Sequence, residues 1–159
     1  MRPPQLDDTD WAILRELQED ARLSFAELGR RVGLSSPAVQ ERVRRMEDTG
    51  VIKRYRADID PTKVGFPIIA HSRLRQVNGR DRAAVTELIR SIPEIIHCID
   101  ITGEDGFVLT IIATSHAHLD DILVRFIPYG QTITGILMKT YVDHRTIEKE
   151  TCDYDETAE

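Results

Sequence analysis

Apolar side chains recur at helical spacing three times in the first fifty residues. Ile13, Leu14 and Leu17 fall on one face of a first helix that Asp7 or Asp8 can cap. Ser24, followed three residues later by Glu27, is a capping box and opens a second helix with apolar positions Phe25, Leu28 and Val32. Gly33 supplies a left-handed residue to stop it. After Leu34, Ser35 and Ser36 offer a new N-cap, with Pro37 at the first helical position, where a missing N–H costs nothing. The third helix runs to about residue 49 and Gly50 closes it. Two helices joined by so short a turn predict a helix-turn-helix. On the third helix Val39, Val43 and Met46 lie within about 60° of one another and form the buried stripe. Pro37, Gln40, Glu41, Arg44, Arg45 and Asp48 lie opposite.

The periodicity then changes. Residues 51–59 are short, β-branched and aromatic, a strand that Asp60 and Pro61 end, and Gly65-Phe66-Pro67 marks a linker. Beyond it the pattern predicts a strand over 68–77, a turn at Asn78-Gly79, and a helix over 82–92 with Val85, Leu88, Ile89 and Ile92 on one face. Strands follow over 95–102 and 106–114, separated by Gly103-Glu104-Asp105. Ser115 caps a helix holding Leu119, Ile122, Leu123 and Phe126, and a last strand spans 132–142. The order βαββαβ is the ferredoxin-like arrangement, with helices on one face of an antiparallel sheet. Residues 107–113 are apolar on both alternating sets, which predicts a second copy of the chain on the other face, a homodimer. The expected organisation is a helix-turn-helix domain over 1–50, a strand and linker over 51–67, a βαββαβ domain over 68–142, and an acidic tail over 143–159.

At 159 residues, 41% apolar and 30% charged, the composition is that of a globular protein of one or two small domains. No apolar run approaches the roughly 20 residues that span a bilayer, and the amino terminus has no signal-peptide core. Cys98 and Cys152 lack metal-site or disulfide spacing, so a cytoplasmic, metal-free protein with no membrane partner is expected. The formal charge of −6 argues against a uniformly basic nucleic-acid protein, but its distribution reverses that conclusion. Residues 22–56 carry nine basic side chains against four acidic ones, a net +5 inside an acidic chain. A solvated helix face explains such a block on charge alone. The helix-turn-helix geometry favours DNA.

Gln40, Arg44 and Arg45, with Glu41 beside them and Ser35, Ser36 and Pro37 at the helix start, form the expected reading surface. Gln and Arg make bidentate hydrogen bonds to adenine and guanine edges in the major groove. Arg30, Arg31, Lys53 and Arg54, with Arg56, lie outside that helix and suit phosphate contacts. Arg42 projects beside the apolar stripe and reads as a structural ion pair. His116 and His118, near Asp120 and Asp121, point about 200° apart on a helical turn and cannot share an ion. His71 and His97 read as core or surface residues, Cys98 as a small buried hydrophobe, and Trp11 as a partly exposed residue of the first helix. No nucleophile–base set, phosphate loop or dinucleotide motif occurs, so neither an enzyme nor a cofactor is expected.

Residues 6–65, with the strings LQEDAR, VGLS and GVI, closely resemble the DNA-binding half of the Lrp/AsnC (leucine-responsive, feast/famine) family of transcription regulators. The βαββαβ half looks like that family's effector domain, the RAM domain, through Ile101-Thr102-Gly103. The resemblance implies an α+β protein with a winged helix-turn-helix domain and a ferredoxin-like domain that dimerises into an α+β barrel and assembles further, commonly to an octamer. It implies binding to double-stranded promoter DNA, nucleoid association, and a small amino-acid effector held between dimers. The effector loop would be Gly103, Glu104, Asp105, Gly106 and Phe107, with Thr132 and Thr134 on the returning strand. One departure stands out: the family's loop carries Asp where this chain has Gly106. Two readings therefore stay open, an effector-modulated, sequence-specific regulator and an architectural DNA-wrapping protein without an effector.

Overall fold

The computed structural model describes residues 4–76, 82–103 and 106–149. The chain divides into two compact units, Met1–Ala57 with Val142–Glu159, and Asp58–Tyr141. Asn78, Gly79, Glu104 and Asp105 lie outside the described residues.

The first unit holds α1 (Asp8–Glu19), α2 (Phe25–Val32) and α3 (Ser36–Asp48). Asp7 caps α1 and accepts the Asp10 N–H at 2.8 Å, while the Asp10 carboxylate accepts the Asp7 N–H at 3.1 Å. Two orphan donors of the helix start are satisfied reciprocally. Ser24 caps α2 through the Glu27 N–H, but the Glu27 carboxylate turns to Arg30 and Arg31. Ile13, Leu28, Val39, Val43 and Met46 are buried together as the core of the unit.

The turn between α2 and α3 depends on two glycines. Gly33 sits at φ +73°, where a Cβ is strained. A Cβ on Gly29 would stand 2.5 Å from the Leu34 carbonyl oxygen, because the turn folds back directly onto α2. The Leu34 N–H donates to the Gly29 carbonyl at 2.9 Å and locks that approach.

The strand expected over 51–59, and with it the β wing, does not form. Residues 53–60 pair with no other strand among the described residues. Val51 and Ile52 instead pack on the helical core, and the Ile52 N–H caps α3 through the Met46 carbonyl at 3.0 Å. Local β propensity loses there to helix capping and burial. A single 3-10 turn, Pro61–Val64, follows.

The second unit is β1 (Ile68–Gln76), α4 (Arg82–Ser91), β2 (Ile95–Asp100), β3 (Phe107–Ala113), α5 (His116–Val124) and β4 (Gly130–Ile136). The sheet order is β2-β3-β1-β4, all neighbours antiparallel. One face of β1 and β3 supplies Ile68, Ala70, Leu74, Phe107, Leu109, Ile111 and Ala113 to a core that Val85, Ile89, Ile92, Leu119, Ile122 and Phe126 cover from the helices. Ser72 is buried within that row and its hydroxyl is satisfied by Thr134 Oγ1 at 2.8 Å. β4 stops six residues before the expected end. It pairs only along β1, which begins at Ile68 just after Pro67, so the ladder has no template beyond Leu137, whose N–H donates to Ile69. Cys98 is exposed, contrary to expectation, because β2 is an edge strand. Its thiol pKa is raised by partial burial and by Asp100.

Gly29→Ala is expected to destabilise the first unit by on the order of 1–3 kcal/mol, because backbone must move to admit one methyl group. A thermal melt followed through Trp11, the single tryptophan, reads this out. An unchanged midpoint would mean that the turn relaxes freely.

Candidate nucleic-acid interface and effector site

The α3 face opposite the buried stripe is open to solvent. Ser35, Pro37, Gln40, Glu41, Arg44 and Arg45 are exposed, and Ser36 is half-buried at the helix start. Ser35 occupies the N-cap position without a side-chain cap bond, which leaves its hydroxyl free of that role. The Arg44 side chain is 81% exposed and lies 3.9 Å from Asp48, a loose pairing of the kind that contributes little. Lys53, Arg54 and Arg56 are exposed and make no ion pair among the described residues.

The other arginines are held. Arg42 Nη1 donates to Asp7 at 2.7 Å and to Asp10 at 2.9 Å, the structural role expected of it. Arg45 Nη2 donates to the second Asp10 oxygen at 2.6 Å, although its side chain is 54% exposed. The Asp10 side chain is only 1% exposed, so a carboxylate buried between α1 and α3 ties the recognition helix to its support. Hydrogen bonds and charge from Arg42 hold the Asp7 carboxyl below its ordinary range.

Arg30 grips Glu27 with two bonds of 3.0 and 2.7 Å, and Arg31 bridges Glu27 and Glu16 at 3.0 and 2.8 Å. The two guanidiniums draw the Glu27 pKa down from 4.5 to about 2. Arg30 remains an exposed cation that can meet phosphate from its pair, whereas Arg31 is committed to two carboxylates.

In the second unit the register places Thr132, Leu74, Phe107 and Asp100 in one row across β4, β1, β3 and β2. Gly106 enters this row at φ +64°, with the Leu74 carbonyl 3.6 Å from where its Cβ would be. Arg82, at the start of α4, stacks over the Phe107 ring with its guanidinium carbon 4.6 Å from the centroid, and it pairs with Asp100. Phe107 and Thr132 thus flank Leu74 on opposite sides of β1, with Gly106 next to Phe107 in the chain. Thr134 is two residues further along, with its hydroxyl turned to Ser72. Glu104 and Asp105 fall outside the described residues.

Sequence reasoning missed Asp10 as the partner of Arg42 and Arg45. The pair spans more than thirty residues, and in the sequence Asp10 reads only as a first-turn acid. It missed Arg82 as well, because a lone arginine at a helix start carries no pattern. His118, read as solvated, bonds Thr114 through Nδ1 at 3.0 Å and lies 3.4 Å from Glu94 through Nε2.

A three-helix unit with an exposed, Gln- and Arg-bearing second helix of a helix-turn-helix, joined in one chain to a ferredoxin-like domain, defines a DNA-binding regulator with a separate sensing domain. Residues 6–47 match the model of the AsnC-type helix-turn-helix domain, and residues 69–147 match that of the Lrp/AsnC ligand binding domain. The chain belongs to the Lrp/AsnC family of transcriptional regulators. It is 37% identical over 133 residues to the HTH-type transcriptional regulator LrpC of Bacillus subtilis, covering 84% of this chain and 92% of that protein. The LrpA regulator of Mycobacterium tuberculosis is 34% identical over 142 residues, covering 88% of this chain and 95% of that one. Among solved structures, B. subtilis LrpC superposes with a TM-score of 0.82 at 35% identity, over 89% of this chain and all of that one. The feast or famine regulatory protein of M. tuberculosis complexed with L-methionine superposes with a TM-score of 0.82 at 33% identity, over 91% and 99% of the two chains. No described helix is long and apolar enough to cross a membrane.

Asp10→Ala is expected to lower the stability of the first unit by about 3 kcal/mol, because it leaves two guanidiniums without their buried partner. A denaturant titration monitored at Trp11 measures it, and a loss under about 1 kcal/mol would mean that water replaces the carboxylate. Glu27 gives a pH signature. Its folded pKa lies below the unfolded value, so its contribution is complete above about pH 4.5 and disappears as pH falls toward 2. The stability gap between the native chain and Glu27→Gln is expected to close over that window and to be constant above it.

Proposed function

We propose that this regulator reads promoter DNA through Gln40 and Arg44 at base edges, with Arg45 oriented by Asp10 and with Ser35, Ser36, Pro37 and Glu41 framing the approach. Lys53, Arg54 and Arg30 bind phosphate, and Arg31 contributes mainly by holding α2 to α1. The observation carrying this reading is the contrast on one domain between arginines fixed by carboxylates and an exposed set, Arg44, Lys53, Arg54 and Arg56, left available for an anion.

The effector is a small amino acid. Similar regulators have been solved with L-methionine bound, one from M. tuberculosis and one from Neisseria meningitidis. An α-amino acid needs a cationic and an anionic counterpart. In this chain Arg82 and Asp100, paired with each other beside Phe107, carry both charges, and Thr132 lies across the sheet on β4. Gly103, Glu104, Asp105 and Gly106 form the loop, and Thr134 supports it through Ser72. The outer sheet face, with Ile99 and Ile133 exposed and Val108 and Arg73 between them in register, packs on a second copy to form a homodimer that assembles toward an octamer. A dimer places two recognition helices on one DNA face at half-site spacing. The protein acts on the nucleoid, in the cytoplasm.

The test is a titration against the duplex upstream of its own coding sequence and a scrambled duplex at about physiological salt, with and without each of the twenty amino acids. A preference on the order of 10³ for the upstream duplex, shifted by one amino acid, is expected. Equal affinity for both, unchanged by every amino acid, would support the architectural reading instead. Arg44→Ala is expected to lose preference at one base position, by about 1–3 kcal/mol, whereas Lys53→Ala weakens both duplexes alike and reduces the salt slope by about 1.

A further inference from the structure

Several apolar side chains packed against the core of the first unit are left half-buried, and they meet in one groove of about 370 Å³. Leu14 and Leu17 of α1 and Val51 and Ile52 after α3 form its apolar floor, with Trp11 beside them. The volume falls in the roughly 300–1,000 Å³ range of small-molecule sites. The groove lies wholly within the first unit, whereas Phe107, Arg82 and Asp100 belong to the second.

Ile147 marks one edge. The side-chain amide of Gln18 accepts the Ile147 N–H at 2.9 Å and donates to its carbonyl at 3.0 Å, which fixes the backbone there. The Ile147 side chain is nevertheless 61% exposed, so it leaves the groove open. Lys53, Arg54 and Arg56 also line the groove, and no carboxylate does among the described residues. Apolar surface beside cations suits a ligand with an apolar tail and an anionic head. Burial favours the tail, and a guanidinium pairs a carboxylate through two parallel hydrogen bonds. A zwitterionic α-amino acid does not suit it, because no lining acid receives an ammonium group. A phosphate of DNA would use the cations alone and leave the apolar floor in water.

We propose that this groove is a second ligand site, on the DNA-binding unit itself, for an amphipathic carboxylate whose head competes with phosphate for Lys53, Arg54 and Arg56. The competition rests on the DNA-binding reading above, whereas the site stands on the groove alone.

Trp11 lines the groove and is the single tryptophan, so its emission reports on the site. The full chain is titrated with octanoate, and with octan-1-ol and L-leucine as controls, at matched ionic strength. Octanoate is expected to shift the Trp11 emission saturably and to raise the thermal midpoint. Both controls are expected to act about tenfold more weakly, because one lacks the charge and the other carries an ammonium without a partner. Ala21→Leu fills the groove from an exposed position and is expected to weaken octanoate about tenfold while leaving duplex binding unchanged. Arg54→Gln is expected to weaken octanoate about tenfold and octan-1-ol not at all. Fluorescence anisotropy with a scrambled duplex of about 30 base pairs then reads the competition. Saturating octanoate is expected to lower the affinity of the native chain about fivefold and that of Ala21→Leu not at all. No saturable shift, an equal response to octan-1-ol, or an undiminished response in Ala21→Leu would overturn the site. Octanoate binding with duplex affinity unchanged would overturn the competition and the proposal with it. If the native chain binds no duplex, the DNA-binding reading falls and the competition falls with it, while the Trp11 titration still decides whether the groove takes a carboxylate.

Discussion

The recognition helix of this protein owes its position to one buried carboxylate. Asp10 caps the start of α1 through the Asp7 N–H and accepts from Arg42 and Arg45 on α3 with its two oxygens. Apolar burial of Val39, Val43 and Met46 holds α3 against the core but is non-directional, and tolerates rotation about the helix axis. Hydrogen bonds from two guanidiniums one turn apart remove that freedom, and the short turn held at Gly29 fixes the other end. Desolvating the acid is costly, and an apolar replacement of the cluster could be as stable. What the charges supply is orientation, the property a base-reading helix needs.

Much of this architecture was legible in the sequence because local signals agreed. Asp7, Ser24 and Gly33 marked helix limits, Val39-Val43-Met46 marked the inward stripe, and Ser115 marked the start of a helix in the second unit. Errors arose where non-local terms decided the outcome. The residues after Gly50 have strand character, but a strand needs an edge to join, and the helical core took Val51 and Ile52 first. β4 has apolar and β-branched residues to 142 but stops opposite the start of β1. Cys98 has the character of a core residue but lies on an edge strand. The charge block was legible as a count and Arg42 as a structural ion pair, but the commitment of Arg45 was not, because its partner Asp10 lies more than thirty residues away.

The second unit shows the same dependence on register. One row across four strands joins Thr132, Leu74, Phe107 and Asp100, and it adds Arg82 through stacking on the aromatic ring. No residue of that row is close to all the others in sequence. A glycine at the mouth of the row relieves the backbone at φ +64°.

The pairing of arginines inside the first unit also bears on how the protein finds DNA. Arg30, Arg31, Arg42 and Arg45 each stand within hydrogen-bonding distance of a carboxylate, so seen from afar they form dipoles, not free charges. A dipole's field decays faster than that of a net charge, and salt shortens it further. Long-range attraction then falls to a few cations, and the protein as a whole is acidic. On such a surface close contact fit counts for more than attraction at a distance.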